Sequence, residues 1–163
     1  MYAEQKLEAM GIHLAPVDRT GKGVVPVRRW GDLIFVSGHG PVDEVGKPLM
    51  KGRVGIELNE DEGYEAARLC AVSMLRTLKD YLGDLDRVVE WVKVLGLVNS
   101  GGDFWAMPKV MNGFSSVMAE VYGTRGRHAR AAGPRPRTAA GAGSGCSPTH
   151  PGSHGTDARA RRA

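Results

Sequence analysis

Residues Asp86 to Asn99 (DRVVEWVKVLGLVN) carry apolar side chains at both even and odd positions. Read as a strand, Val88, Val92, Val94 and Val98 share one face, while Val89, Trp91, Leu95 and Leu97 share the other. A strand of this kind needs cover on both sides. Helices on one face and another subunit's sheet on the other would meet that need. The rest of the chain has to be arranged around this segment.

The segments on either side supply the helices. Asn59 stands where a helix cap falls, with Glu62 three residues on as its reciprocal partner and acidic Glu60 and Asp61 in the first turn. Ala67, Cys70, Ala71, Met74, Leu75, Leu78 and Leu82 then recur at helical spacing, and Gly83 marks the stop. A second helix is predicted over 108–122, with Pro108 near its start, Val110, Met111, Phe114, Val117, Met118 and Val121 on one stripe, and Gly123 at its end. Met1 to Met10, closed by Gly11, reads as a shorter helix. VVPVRRW and LIFVS flank Gly31-Asp32, a pairing that predicts a two-residue hairpin turn, with Pro26 at an edge or bulge. The Gly-, Pro- and charge-rich stretch from Gly38 to Leu58 predicts a loop with a brief strand near Arg53 to Ile56.

Charge divides the chain unevenly. Residues 1–130 hold 17 Lys+Arg and 17 Asp+Glu, whereas 131–163 hold five Arg and one Asp, so the net charge of +4 belongs to the second part alone. The first part has no basic stripe for a phosphate backbone, which argues against specific nucleic-acid binding. From Ala131 onward there is no Val, Ile, Leu, Met, Phe, Trp or Tyr. Such a segment cannot bury enough apolar surface to offset its ordering entropy. The expected organisation is therefore one α+β domain over 1–130 and a disordered Ala/Arg/Gly/Pro-rich tail over 131–163. No stretch has the length and apolarity of a membrane helix, and MYAEQKLEAM lacks the build of a secretory signal, so the expected setting is cytoplasmic with no membrane partner. Cys70 and Cys146 sit in unlike surroundings and predict neither a disulfide framework nor a metal site.

Few residues offer chemistry. Ser37-Gly38-His39-Gly40 follows a buried-looking strand, so its backbone N–H groups and the Ser37 hydroxyl are placed to face a small ligand, unless the glycines serve the turn alone. In the cluster Arg125, Arg127, His128 and Arg130, the guanidinium groups offer planar donor forks to a carboxylate, or else the cluster is a solvated basic turn. Asn112, a poor helix former inside a helix, presents its amide to a ligand or to solvent.

In order along the chain, LIFVSGHGP, GDLDRVVEWVKVLGLVNSGGDF, PKVMNGF and GRHARAA resemble motifs of the RidA/YjgF family, also labelled endoribonuclease L-PSP, in its branch with an N-terminal helical extension. The resemblance spans about Glu4 to Ala132. It implies a chorismate-mutase-like fold with two helices on one sheet face, and a homotrimer with ligand clefts between subunits. It also implies hydrolysis of small enamines or imines such as 2-aminoacrylate to a 2-keto acid and ammonia, without cofactor or metal. On that likeness Arg130 binds the substrate carboxylate as the catalytic anchor, Ser37, Gly38 and His39 line the cleft, and Asn112 fixes the loop or the ligand. A non-catalytic small-molecule-binding or regulatory trimer is the alternative, and ribonuclease activity ranks below both.

The sequence departs from that pattern in three places. His39 replaces a glutamine, Val24 stands where a tyrosine is expected, and the family's last strands, with an E-x-E-like pattern, do not come after Ala132. The Ala, Arg, Gly and Pro that dominate the stretch beyond it have GC-rich codons, which reads as a frameshift, with a natural tail on a divergent member as the competing reading.

Overall fold

The computed structural model describes residues 2–16 and 23–126, and residues 129–132 by their backbone; of the expected tail over 131–163, Ala131 and Ala132 fall in β4 and the rest lies outside the described residues. In chain order the elements are α1 (Tyr2–Ala9), β1 (Val27–Trp30), β2 (Leu33–Val36), α2 (Glu60–Leu82), a 3₁₀ turn (Leu85–Arg87), β3 (Val94–Leu97), α3 (Met107–Tyr122), a second 3₁₀ turn (Gly123–Gly126) and β4 (Ala129–Ala132). This is the α+β layout that the sequence predicts.

The long helix begins as its cap dictates. Asn59 Oδ1 accepts from the Glu62 N–H at 2.9 Å, and the Asn59 N–H donates to Glu62 Oε2 at 2.7 Å. At the other end Gly83 turns left-handed at φ 76. Packing then joins α2 to α3 at closest approach through Gly113, where an added Cβ would lie 2.0 Å from the Tyr64 carbonyl oxygen. Only a glycine fits there. Leu75, Leu78, Phe114, Val117, Met118 and Val121 are buried in the resulting core.

β1 and β2 form the predicted antiparallel hairpin, with Trp30 opposite Leu33 and Val27 opposite Val36. Gly31 takes φ 59 in its two-residue turn. Pro26 lies just before β1, where its missing N–H costs nothing and its carbonyl accepts from the Ser37 N–H at 2.9 Å. β3 and β4 pair in parallel as a separate two-stranded sheet.

Two sequence expectations change. The strand over Asp86 to Asn99 is shortened to Val94–Leu97, because Asp84 accepts from the Asp86 N–H and a 3₁₀ turn takes the first residues. The alternation also breaks between Trp91 and Val94, both buried, so Val92 is exposed against expectation. Trp91 instead packs edge-on against Tyr122, ring centroids 5.8 Å apart. From Val94 onward the alternation holds: Val94 and Val98 are buried, while Leu95 and Leu97 are exposed. Arg53 to Ile56 forms a turn closed by the Arg53–Glu57 ion pair, with Val54 making single bridges to Leu58 and Ser100.

α1 is docked by borrowed groups. The Tyr2 and Ala3 N–H groups donate to the Asp86 carboxylate at 2.5 and 2.8 Å, so a side chain from the far side of α2 caps this helix. Those backbone donors hold the Asp86 carboxyl below its usual range. Burial pushes the Glu4 carboxyl up, but the Lys79 ammonium at 2.6 Å and the Leu85 N–H outweigh it and the net direction is down. A depressed carboxyl stabilises the docked state above the ordinary values of 4.5 and 3.8, and the contribution fades below them and is lost as pH falls through the folded-state values. The melting temperature of the full chain should therefore drop as pH passes below that range, and less steeply in Glu4→Gln. Parallel melting curves for the two proteins across the acid range would show that Glu4 does not hold α1.

Candidate functional site

The Ser37–Gly40 turn leaves the end of β2 and is tied down by its side chains. Ser37 Oγ donates to the Val25 carbonyl at 2.7 Å. His39 Nδ1 lies 2.7 Å from the Ser37 carbonyl, and His39 Nε2 lies 2.7 Å from Thr77 Oγ1 on α2. A carbonyl only accepts, so Nδ1 carries the proton in that contact, and in the neutral ring Nε2 accepts from the Thr77 hydroxyl. Thr77 Oγ1 also lies 3.2 Å from the Ser73 carbonyl, a second acceptor for its single proton. The imidazole thus latches the turn to the long helix. Gly38 is left exposed, with nothing within 4 Å of where a Cβ would stand.

The other sequence candidates fall on different elements. Asn112 is exposed on α3, the position at which an amide meets solvent or a partner. Arg125 is exposed in the second 3₁₀ turn, its guanidinium 3.4 Å from the Val89 carbonyl. Arg127 and His128 lie outside the described residues. Arg130 falls within β4, at the register position opposite Leu95. Val24 is exposed just before β1. Within one chain, Ser37 and His39 share a turn, while Asn112 and position 130 come from other parts of the fold.

Sequence reading missed Thr77 and its neighbour Arg76. Both are buried on α2, at 3% and 9% exposure, beside the apolar stripe. The available signal was their polarity at helix positions adjoining the stripe, which periodicity alone treats as a boundary. Cys70 is not a reactive candidate, since burial raises its thiol to about 11. Glu4, Asp84 and Asp86 bring carboxylate oxygens within 4.8 Å of one another, but the hydrogen bonds that Glu4 and Asp86 accept serve to dock α1. Among the described residues no helix is long and apolar enough to cross a membrane.

A two-helix layer beside short strands, with a Ser-Gly-His turn at a strand end and an arginine position in the parallel strand after α3, defines a YjgF-type fold. The chain belongs to the family described as "YjgF/chorismate_mutase-like, putative endoribonuclease", whose profile matches residues 4–140. It is 38% identical over 127 residues to Protein TCP17 of Trypanosoma cruzi, covering 77% of this chain and 79% of that one. Among solved structures it resembles protein Atu1372 of Agrobacterium tumefaciens, described as of unknown function, at TM-score 0.72 and 34% identity over 81% of this chain and 80% of that one. It also resembles "a putative endoribonuclease" from Shewanella oneidensis, at TM-score 0.75 and 28% identity over 82% and 88% of the two chains.

The latch makes a local prediction. Thr77→Val removes the hydroxyl and leaves His39 Nε2 without that partner, a change of about 1–3 kcal/mol for a part-buried polar group. Amide exchange should accelerate through Gly38 to Val42 while the α2 core keeps its protection. Unchanged exchange in the turn would mean that it is held by something else.

Proposed function

We propose that the protein is a hydrolytic deaminase of small reactive 2-imino acids, acting in clefts between the protomers of a homotrimer. The observation that carries this reading is the parallel β3–β4 register, which sets position 130 opposite Leu95 in the sheet. Arg130 is the residue that matches the family's carboxylate-binding arginine. Half-buried Ser37 and exposed Gly38 supply the turn that would line the cleft, and the His39 latch keeps that turn in one place.

The chemistry asks little of the protein. A protonated imine carbon is already electrophilic, so holding the carboxylate, orienting one water and excluding competing nucleophiles suffice. Attack of that water on the imine carbon gives a carbinolamine, and its collapse releases ammonia and leaves the 2-keto acid. A guanidinium binds the carboxylate by two parallel hydrogen bonds.

The assembly is favoured by a second observation. Leu33, Phe35, Leu95 and Leu97 are exposed, while alternate positions Ile34, Val36, Val94 and Val98 pack against the core. Trp30, opposite Leu33, is 82% exposed. Exposed apolar rows on both two-stranded sheets are characteristic of a subunit interface.

A non-catalytic binding trimer is the second reading, favoured by His39 standing where the family has a glutamine. Freshly generated 2-aminoacrylate separates the two. The deaminase reading expects wild type to accelerate pyruvate release and Arg130→Ala to lose at least tenfold, a change of about 1.4 kcal/mol in transition-state stabilisation. Equal rates with and without wild-type protein favour the binding reading. Sedimentation should give a trimer for both proteins, and a stable monomer would remove the intersubunit cleft on which both readings depend.

A further inference from the structure

Arg76 carries a charge that the described residues leave unmatched. The side chain is only 9% exposed, on the part of α2 where Thr77 takes hold of the loop after β2. Its one hydrogen bond among the described residues is from Nη1 to the Val42 carbonyl, at 3.5 Å, the outer limit for such a contact. Nε is shut off from solvent without an acceptor. None of the ion pairs among the described residues includes it; Arg29, Arg53, Arg68, Lys79 and Lys109 have carboxylate partners, and Arg76 does not.

A buried guanidinium without a counter-charge is among the costlier arrangements that a folded chain can hold. The geometry also says which partner it lacks. Nη1 is the nitrogen turned to Val42. The opposite edge presents Nε–H and Nη2–H side by side, the two parallel donors that match the two oxygens of a single carboxylate. A single carbonyl or a lone water fits that edge less well, and an ammonium, which has no acceptor, cannot pair with it.

We propose that Arg76 anchors a small-anion site on α2, beside the segment that carries Val42, which takes a carboxylate on the Nε/Nη2 edge. Arg76 stands on α2 and position 130 in β4, and the proposal does not depend on the deaminase reading. Because Nε is shut off from solvent, seating the ligand requires the residues that cover this edge to yield. The partner is a small carboxylic acid; phosphate, which also presents two oxygens, shares part of the chemistry and serves as the comparison.

Thermal melts of the full chain at constant ionic strength test this, with chloride replaced stepwise by acetate or by inorganic phosphate. Wild type should gain stability saturably with acetate. Arg76→Met should show no gain, yet melt in chloride at or above wild type, since it removes an uncompensated buried charge. Arg76→Lys keeps the charge without the fork and should respond more weakly. Arg130→Ala should respond as wild type does, and the arginines of the tail are common to all four proteins. Equal acetate responses in wild type and Arg76→Met would overturn the proposal. So would an Arg76→Met protein that melts below wild type in chloride when neither responds to acetate, for then Arg76 serves only to hold Val42. A response to phosphate alone would overturn the carboxylate assignment. Should the methionine variant fail to fold, the Arg76 Nε–H resonance of wild type, identified by its loss in Arg76→Lys, must still shift saturably with acetate. A resonance that stays in place rejects the site.

Discussion

At Gly113 the backbone of α3 lies so near α2 that one added carbon would stand 2.0 Å from the Tyr64 carbonyl oxygen. That contact fixes the spacing of the two long helices, and their shared core then sets where the strands can lie. Met111, two residues earlier, reaches the other way and fills the space above Gly96 of β3, where a Cβ would come within 2.1 Å of its methyl. Close packing of this kind leaves little room for sliding. Gly113 lets the two helices approach, and Gly96 lets α3 approach β3, the strand that pairs with position 130.

The long helix has a second role. Its apolar stripe makes the core, while Ser73, Arg76 and Thr77 next to that stripe are buried polar groups. Thr77 receives His39 from the turn after β2, and Arg76 reaches the Val42 carbonyl farther along the same loop. A glycine-rich loop has many conformations to lose, and its placement needs such polar ties because it has few apolar contacts. The candidate turn is therefore held by hydrogen bonds from two sides, at Val25 and Pro26 before β1 and at Thr77 on α2.

The ends of the helices show the same economy of groups. α2 is capped within its own sequence by Asn59 and Glu62, whereas α1 takes its cap from Asp86, remote in the chain. A short helix of this length is marginal in isolation. Its order depends on Asp86, on the Glu4–Lys79 pair, and on burial of Ala3 and Leu7.

Much of the fold was legible in the residues because it is set by local rules. The Asn59–Glu62 box, the Gly83 stop, the Gly31-Asp32 turn and the α3 stripe each depend on neighbours a few positions away, and each appears where the spacing put it. The Ser37–His39 turn was legible as a candidate for the same reason. What the sequence could not decide were the outcomes of contacts between distant segments. The strand after Asp86 keeps only four residues because Asp84 and the docking of α1 claim its beginning, and Trp91 turns inward to meet Tyr122. His39 was a substitution of unstated consequence until α2 brought Thr77 to 2.7 Å from its ring. Arg76 was one cation among many until burial removed its water. Periodicity records which side of an element is apolar, but only the packed chain decides which polar groups are enclosed with it, because desolvation depends on everything that surrounds a group.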